Sequence, residues 1–125
     1  IVHIIIGLPG EDQKMLLETI EHLNTCQIDG VKLQLLHYLK NTRLGVQYLS
    51  NPSQYHVLEM DEYVELVTEC IAHLDEHIVI HRLTGDGNAE DLIAPLWSID
   101  KRRVLNSINH MLKIKNYIQG CKLSK

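Results

Sequence analysis

"IVHIIIGLPGED", residues 1–12, places five β-branched aliphatic residues in its first six positions and then stops at Gly7. A short continuous apolar run closed by glycine predicts a buried strand. Gly7, Pro9 and Gly10 punctuate a turn, and Glu11 and Asp12 suit the positive N-terminal end of a helix. That helix is written over about residues 12–24, where Leu16, Leu17, Ile20 and Leu23 recur at helical spacing. The stretch therefore opens a βα unit. Its glycines sit at the carboxyl end of the strand, where helix N–H groups suit an anion or a polar ligand tail. It lacks the Lys and Ser/Thr of a phosphate-binding loop and the spacing of a dinucleotide fingerprint. Taken by itself, the motif is better accounted for by a tight βα turn.

Working outward, the unit repeats. Asp29-Gly30 marks a turn, and "VKLQLLHY" (31–38) predicts a second strand. Residues 39–58 read as irregular, with Gly45, Asn51 and Pro52 as breaks. Tyr63, Val64, Val67, Ile71 and Leu74 define a second helix, and "HIVIHR" (77–82) a third strand before the loop "LTGDGNAED". Ser98 is the expected cap of a last helix carrying Val104, Leu105, Ile108 and Leu112. The order β-α-β-α-β-α implies parallel strands with right-handed crossovers. Split by their period of two, the strands present one aliphatic face: Val2, Ile4, Ile6, Val31, Leu33, Leu35, Ile78 and Ile80. The other reads His3, Ile5, Lys32, Gln34, Leu36, His77, Val79 and His81. An open doubly wound sheet is apolar on both faces, whereas a barrel wall faces helices on one side and a lumen on the other. The asymmetry predicts an α/β fold of three consecutive βα units forming an arc of a TIM-like barrel.

At 125 residues, 45% apolar and 22% charged, the chain is one globular domain. A net charge of −4 gives no overall footprint for nucleic acid, and Lys101, Arg102 and Arg103 read as a solvated helix face. Cys26, Cys70 and Cys121 are odd in number and contain no C-x-x-C pair, which argues against a disulfide framework or a zinc ribbon. The expectation is a reduced, cytoplasmic protein. No apolar run approaches the roughly 20 residues of a membrane span. The chain opens inside a strand on Ile1, not Met, which suggests a piece of a longer protein.

Other chemistry-bearing residues each have a plainer reading. "HLDEH" (73–77) matches the H-x-x-E-H pattern of inverted zinc peptidases, but the helix ends near Leu74 and the two imidazoles are expected to diverge. No metal site is therefore predicted. His81 and Arg82 end the third strand, where barrel enzymes keep their chemistry. Gly85 and Gly87 flank Asp86 and permit a nest of backbone donors. His37 and His81 read equally as hydrogen-bonded structural histidines. Cys26 and Cys70 read as structural thiols and Trp97 as a packing anchor.

Taken together, "HIIIGLPGED", "DGVKLQLLHYLKNTRL", "IHRLTGDG" and "LIAPLWSIDKRRVLNSI", in that order, resemble the C-terminal half of a radical S-adenosylmethionine protein. The likeness covers nearly the whole chain. It points to a bacterial subgroup of unassigned substrate, related to the Elongator-type catalytic subunit and to oxygen-independent coproporphyrinogen oxidase. "HRLTGDG" with "APLWS" is its specific part, and "GLPG" is shared more widely. The resemblance implies a partial (β/α)6 barrel. It also implies a [4Fe–4S] cluster on a C-x3-C-x2-C motif that cleaves S-adenosylmethionine to a 5′-deoxyadenosyl radical. Residues 1–125 hold neither that cysteine motif nor the glycine-rich motif for the methionine amino group. Both are expected in an N-terminal half of the same protein, so residues 1–98 would be βα units and site loops, and 99–125 a terminal helix and tail.

Carried over by position, the resemblance assigns Ile5 to packing on adenine and His3 to a neighbouring ribose position. Gly7 and Gly10 form the turn, and Gln34, Leu36 and His37 surround the adenine. His81, Arg82, Thr84 and Asp86 fall on the substrate side. The whole protein is then an iron–sulfur oxidoreductase, and this part alone, lacking cluster ligands, is expected to be inactive. Unpaired strand edges predict a homodimer or docking to the missing half, with no membrane partner. The alternatives are a non-catalytic βα regulatory or interaction domain and, less well supported, a zinc hydrolase on His73 and His77.

Overall fold

The computed structural model describes residues 1–84 and 89–123. The first βα unit forms where the aliphatic run predicts it, with β1 at Val2–Ile6 and α1 at Gln13–Thr25. Asp12 caps α1, its carboxylate accepting from the Met15 N–H at 2.9 Å. β2 spans Gly30–Leu35, and β3 is the two-residue strand Tyr38–Leu39. Next come α2 (Arg43–Ser50), a 3-10 turn at Pro52–Gln54 and α3 (Met60–His73). β4 spans Val79–Arg82, β5 Leu92–Ala94 and α4 Lys101–Lys115.

β1, β2 and β4 form a parallel sheet in the order β1-β2-β4, with β2 central. Its two faces differ as the alternation requires. Ile4, Ile6, Val31, Leu33, Leu35 and Ile78 are buried against α1, α3 and α4, through Leu16, Ile20, Tyr63, Val67, Val104 and Ile108 among others. On the opposite face His3, Ile5, Val79 and His81 are exposed. The α/β class, the parallel units and the one-sided core are as expected from sequence.

Four local expectations need correction. "VKLQLLHY" is not one strand: β2 ends at Leu35, and Tyr38–Leu39 turns away to pair antiparallel with Leu92–Ala94, a short strand that directly follows the glycine-bearing loop. Residues 39–58 are not irregular, because α2 lies within them. Thr42 caps it, its hydroxyl oxygen accepting from the Gly45 N–H at 3.0 Å. Gly45 broke the helical pattern for a tertiary reason, since a side chain there would run into the Leu39 carbonyl. Ser98 does not cap α4. It is buried and donates to the Pro95 carbonyl, while Asp100 accepts from the Arg103 N–H at 3.1 Å. His77 precedes β4, in a turn where its Nδ1 meets Asp75 at 2.9 Å.

The C-terminal segment returns to the far end of α3. Glu69, almost fully buried, accepts from Lys115, Tyr117 and Lys122. The Gly120 and Lys122 N–H groups donate to the Ile71 and Ala72 carbonyls, and Gln119 donates to those of Asp75 and Ile78. The last carbonyls of α3, which have no partner within their own helix, are thereby satisfied.

Candidate functional site

The exposed face of the sheet gathers most of the predicted cofactor residues. In the β1–β2 ladder His3 lies beside Lys32 and Ile5 beside Gln34. Neighbours in a ladder share a face, so these four side chains form one contiguous patch. Leu36 extends it, since its N–H continues the ladder to the Ile6 carbonyl at 2.9 Å. Ile5 is 40% exposed within this patch, whereas Ile4 and Ile6 at either side of it are buried. The patch therefore sets an exposed aliphatic side chain among an amide, an imidazole and an ammonium group, an apolar surface bordered by polar groups.

Gly7 closes β1 with φ +99°, a left-handed conformation that disfavours any side chain. A Cβ there would stand 3.1 Å from Leu58 and 3.8 Å from Leu36, so the turn packs tightly at the end of the open face. Gly10 also has positive φ, +78°, but has open space around it and serves the turn alone. His37 is half-buried at the β2–β3 junction, with its Nε2 inaccessible.

At β4 the register holds a bulge that the sequence did not signal. Val31 aligns with Ile80 but Lys32 with Arg82, so His81 is the extra residue. Its imidazole lies across Gly30, at a place any side chain on residue 30 would occupy. Arg82 thereby joins the row of Lys32 and His3, and β4 stops there, three residues short of the C-terminal end of β2 at Leu35. Thr84 is buried just beyond, and Asp86 lies outside the described residues. Trp97 anchors this end as expected: its Nε1–H donates to the Leu58 carbonyl at 2.9 Å, and its ring lies 5.7 Å from that of Tyr63.

A feature not anticipated is a cavity of about 400 Å³ between the first turns of α1 and α3. Glu11, His56, Glu62 and Glu65 surround an apolar floor that includes Ile6 and Leu16. Burial and the neighbouring Asp12 push the Glu11 carboxyl above its ordinary value, while His56 and the Glu59 N–H hold Glu62 below it. The floor belongs to the helix side of β1, so the cavity is separated from the open face by the strand itself.

Comparison with known proteins places the chain in a family. Residues 28–114 match the family described as the Radical_SAM C-terminal domain. The chain belongs to that family. The radical SAM C-terminal domain here is 39% identical over 118 residues to YtqA, an uncharacterised protein of Bacillus subtilis, covering 94% of this chain and 36% of YtqA. It is 31% identical over 121 residues to the uncharacterised protein MJ0486 of Methanocaldococcus jannaschii, covering 96% and 37%. With the protein YhcC of Escherichia coli the identity is 28% over 123 residues, covering 98% and 39%. The domain thus spans little more than a third of the length of the curated relatives it matches.

The thiols of this radical SAM domain do not fit an iron–sulfur cluster. Cys70 sits in the core, and burial, followed by the charges of Glu11 and Glu69, pushes its thiol up to about 12, far from the thiolate that ligation needs. Cys26 caps the C-terminal end of α1 and Cys121 lies in the tail, both exposed. Among the described residues no group of three His, Cys, Asp or Glu is placed to hold a metal. The imidazoles of "HLDEH" serve separate partners, His73 the Glu69 carbonyl and His77 Asp75. No helix among the described residues is long and apolar enough to cross a membrane.

Proposed function

We propose that this domain is the adenosine-facing and substrate-facing wall of a radical S-adenosylmethionine enzyme whose remaining barrel strands complete the open sheet. The observation that carries the reading is the pairing of an exposed Ile5 with Gln34 on the uncovered face, beside Leu36 and below the Gly7 turn. Family membership supports it. In such an enzyme, reductive cleavage of S-adenosylmethionine supplies a hydrogen-abstracting radical, and the [4Fe–4S] cluster that drives it is held by the other part of the chain. The work of the present residues is binding and exclusion. Ile5 and Leu36 give the adenine an apolar surface, Gln34 and His3 offer hydrogen bonds to its edge and ribose, and backbone groups near His37 close the pocket. His81, Arg82 and Thr84 border the substrate.

The edge of β1 and the exposed face are then an internal junction with the rest of the parent protein. The isolated domain is expected to pair through that edge with a second copy. The deciding experiment is titration of S-adenosylmethionine into the full-length parent protein by calorimetry. Ile5→Asp should weaken binding at least tenfold, because it puts a charge against an apolar base, while Val46→Asp on α2 leaves it unchanged. Equal affinity in the two variants would overturn the assignment. A non-catalytic interaction domain would instead show no S-adenosylmethionine binding in the parent at all.

A further inference from the structure

One cation on the open face has no part in the adenosine patch. Lys32 lies beside His3 in the β1–β2 ladder and beside Arg82 in the β2–β4 ladder. An imidazole, an ammonium and a guanidinium therefore stand in one row across three strands. Neighbouring strands are about 4.8 Å apart, so adjacent side chains can converge on one small group. In a chain with a net charge of −4, no Asp or Glu stands at any open-face position of β1, β2 or β4.

Lys32 is half-buried, and neither it nor His3 has a hydrogen bond or ion pair among the described residues. Arg82 already interacts with another group. Like charges side by side weaken a ladder, so placing Lys32 next to Arg82 gains nothing for the fold. The Ile5–Gln34 row lies two residues, about 6.6 Å, further along the strands, and β4 ends before reaching it. The cation row thus belongs to three strands, and the apolar patch to two.

We propose that Lys32, with His3 and Arg82 beside it, binds a carboxylate group of the substrate. The proposal rests on the adenosine reading above: a ribose beside His3 and a substrate beside Arg82 put Lys32 between the two. A carboxylate is a monoanion and matches the single ammonium that has no other partner among the described residues. Its two oxygens can accept from Lys32 and from a neighbour in the row, as charge-assisted hydrogen bonds. A phosphate monoester, close to doubly charged at neutral pH, would ask for a second uncommitted cation.

The test is saturation-transfer NMR of acetate with the full-length parent protein, with and without S-adenosylmethionine, at an ionic strength held constant with potassium chloride. Lys32→Gln should raise the acetate dissociation constant about tenfold or more, the usual loss for a hydrogen bond to a charged group. Lys32→Arg should restore most of the binding, because it returns the positive charge. Lys14→Gln, exposed on α1, should leave it unchanged. Affinity for S-adenosylmethionine should stay within about twofold in Lys32→Gln, since separate contacts act independently. Absence of acetate binding, or equal affinity in Lys32→Gln and the parent sequence, overturns the proposal. So does displacement of acetate by S-adenosylmethionine, which would give the row to the cofactor, or tighter binding of inorganic phosphate than of acetate. Acetate binding through Lys32 in a parent that does not bind S-adenosylmethionine would support the carboxylate site while the adenosine reading falls.

Discussion

Ile4 and Ile5 are adjacent, chemically identical and on the same strand, yet one is buried in the core and the other is exposed on the open face. The same contrast runs across the whole sheet. Under the helices every strand position is aliphatic. On the open face aliphatic residues alternate with His, Lys and Gln, which a stability-driven surface would not need. A parallel sheet is ordinarily covered on both faces. A sheet covered on one face only, with apolar residues left on the other, is an unfinished layer, and its open side is free to be shaped by a ligand or by further chain.

The comparison breaks first if both faces contribute alike to stability. Leu33 is fully buried at the centre of β2, and its neighbour Gln34 faces out. Leu33→Ala should cost about 2–5 kcal/mol in urea denaturation. Gln34→Ala should stay within about 0.5 kcal/mol. Gly30 offers a sharper test, because the bulged His81 covers it on the nominally open side. Gly30→Ala should cost about 1–3 kcal/mol by overpacking. Combined with His81→Ala, most of that cost should vanish, since a double-mutant cycle isolates this one contact.

The helix layer has its own weak point, the carboxylate of Glu69. Burial would raise its pKa, but the ammonium groups of Lys122 and Lys115 donate to it and hold it below the ordinary 4.5. A carboxylate depressed in the folded state stabilises above its unfolded value and loses that contribution as pH falls through the lower, folded value. Tail docking should therefore be complete near neutrality and weaken progressively below pH 4.5. Glu69→Gln should cost about 1–2 kcal/mol at neutral pH, a value discounted for the solvent reaching both lysines. It should also flatten the acid limb of the stability profile, which pH-dependent urea melts would read directly.

The legibility of these features in sequence follows from how local their causes are. The strand alternation and the α1, α3 and α4 stripes are one-element patterns, so the one-sided sheet was readable before any coordinates. The acids at the positive end of α1 were readable for the same reason, although the capping role of Asp12 came only with the structure. α2 was not, because Gly45 is fixed by contact with the Leu39 carbonyl, and no window of sequence contains that constraint as a pattern. β5 is three residues long and takes its identity from pairing with Tyr38–Leu39, more than fifty positions away. The bulge at His81 likewise depends on the register with β2. For the site, the open-face row His3, Ile5, Gln34 and Leu36 was visible from parity alone, whereas the inward role of Lys115 and Lys122 needed Glu69 in place.

The smallest expected effect on stability is also the one that separates folding from function most cleanly. Ile5→Ser removes apolar surface that the domain leaves 40% in water, so its cost in a denaturation curve should be about 0.5 kcal/mol or less. Ile4→Ser one position earlier puts a hydroxyl into the helix-covered core and removes buried methyl groups, and it should cost several times more. If the open face is a self-association surface in the isolated domain, Ile5→Ser should shift sedimentation toward monomer while the melt barely moves. A large destabilisation by Ile5→Ser would mean that the two isoleucines do the same structural job, and the distinction between covered and open faces would fall with it.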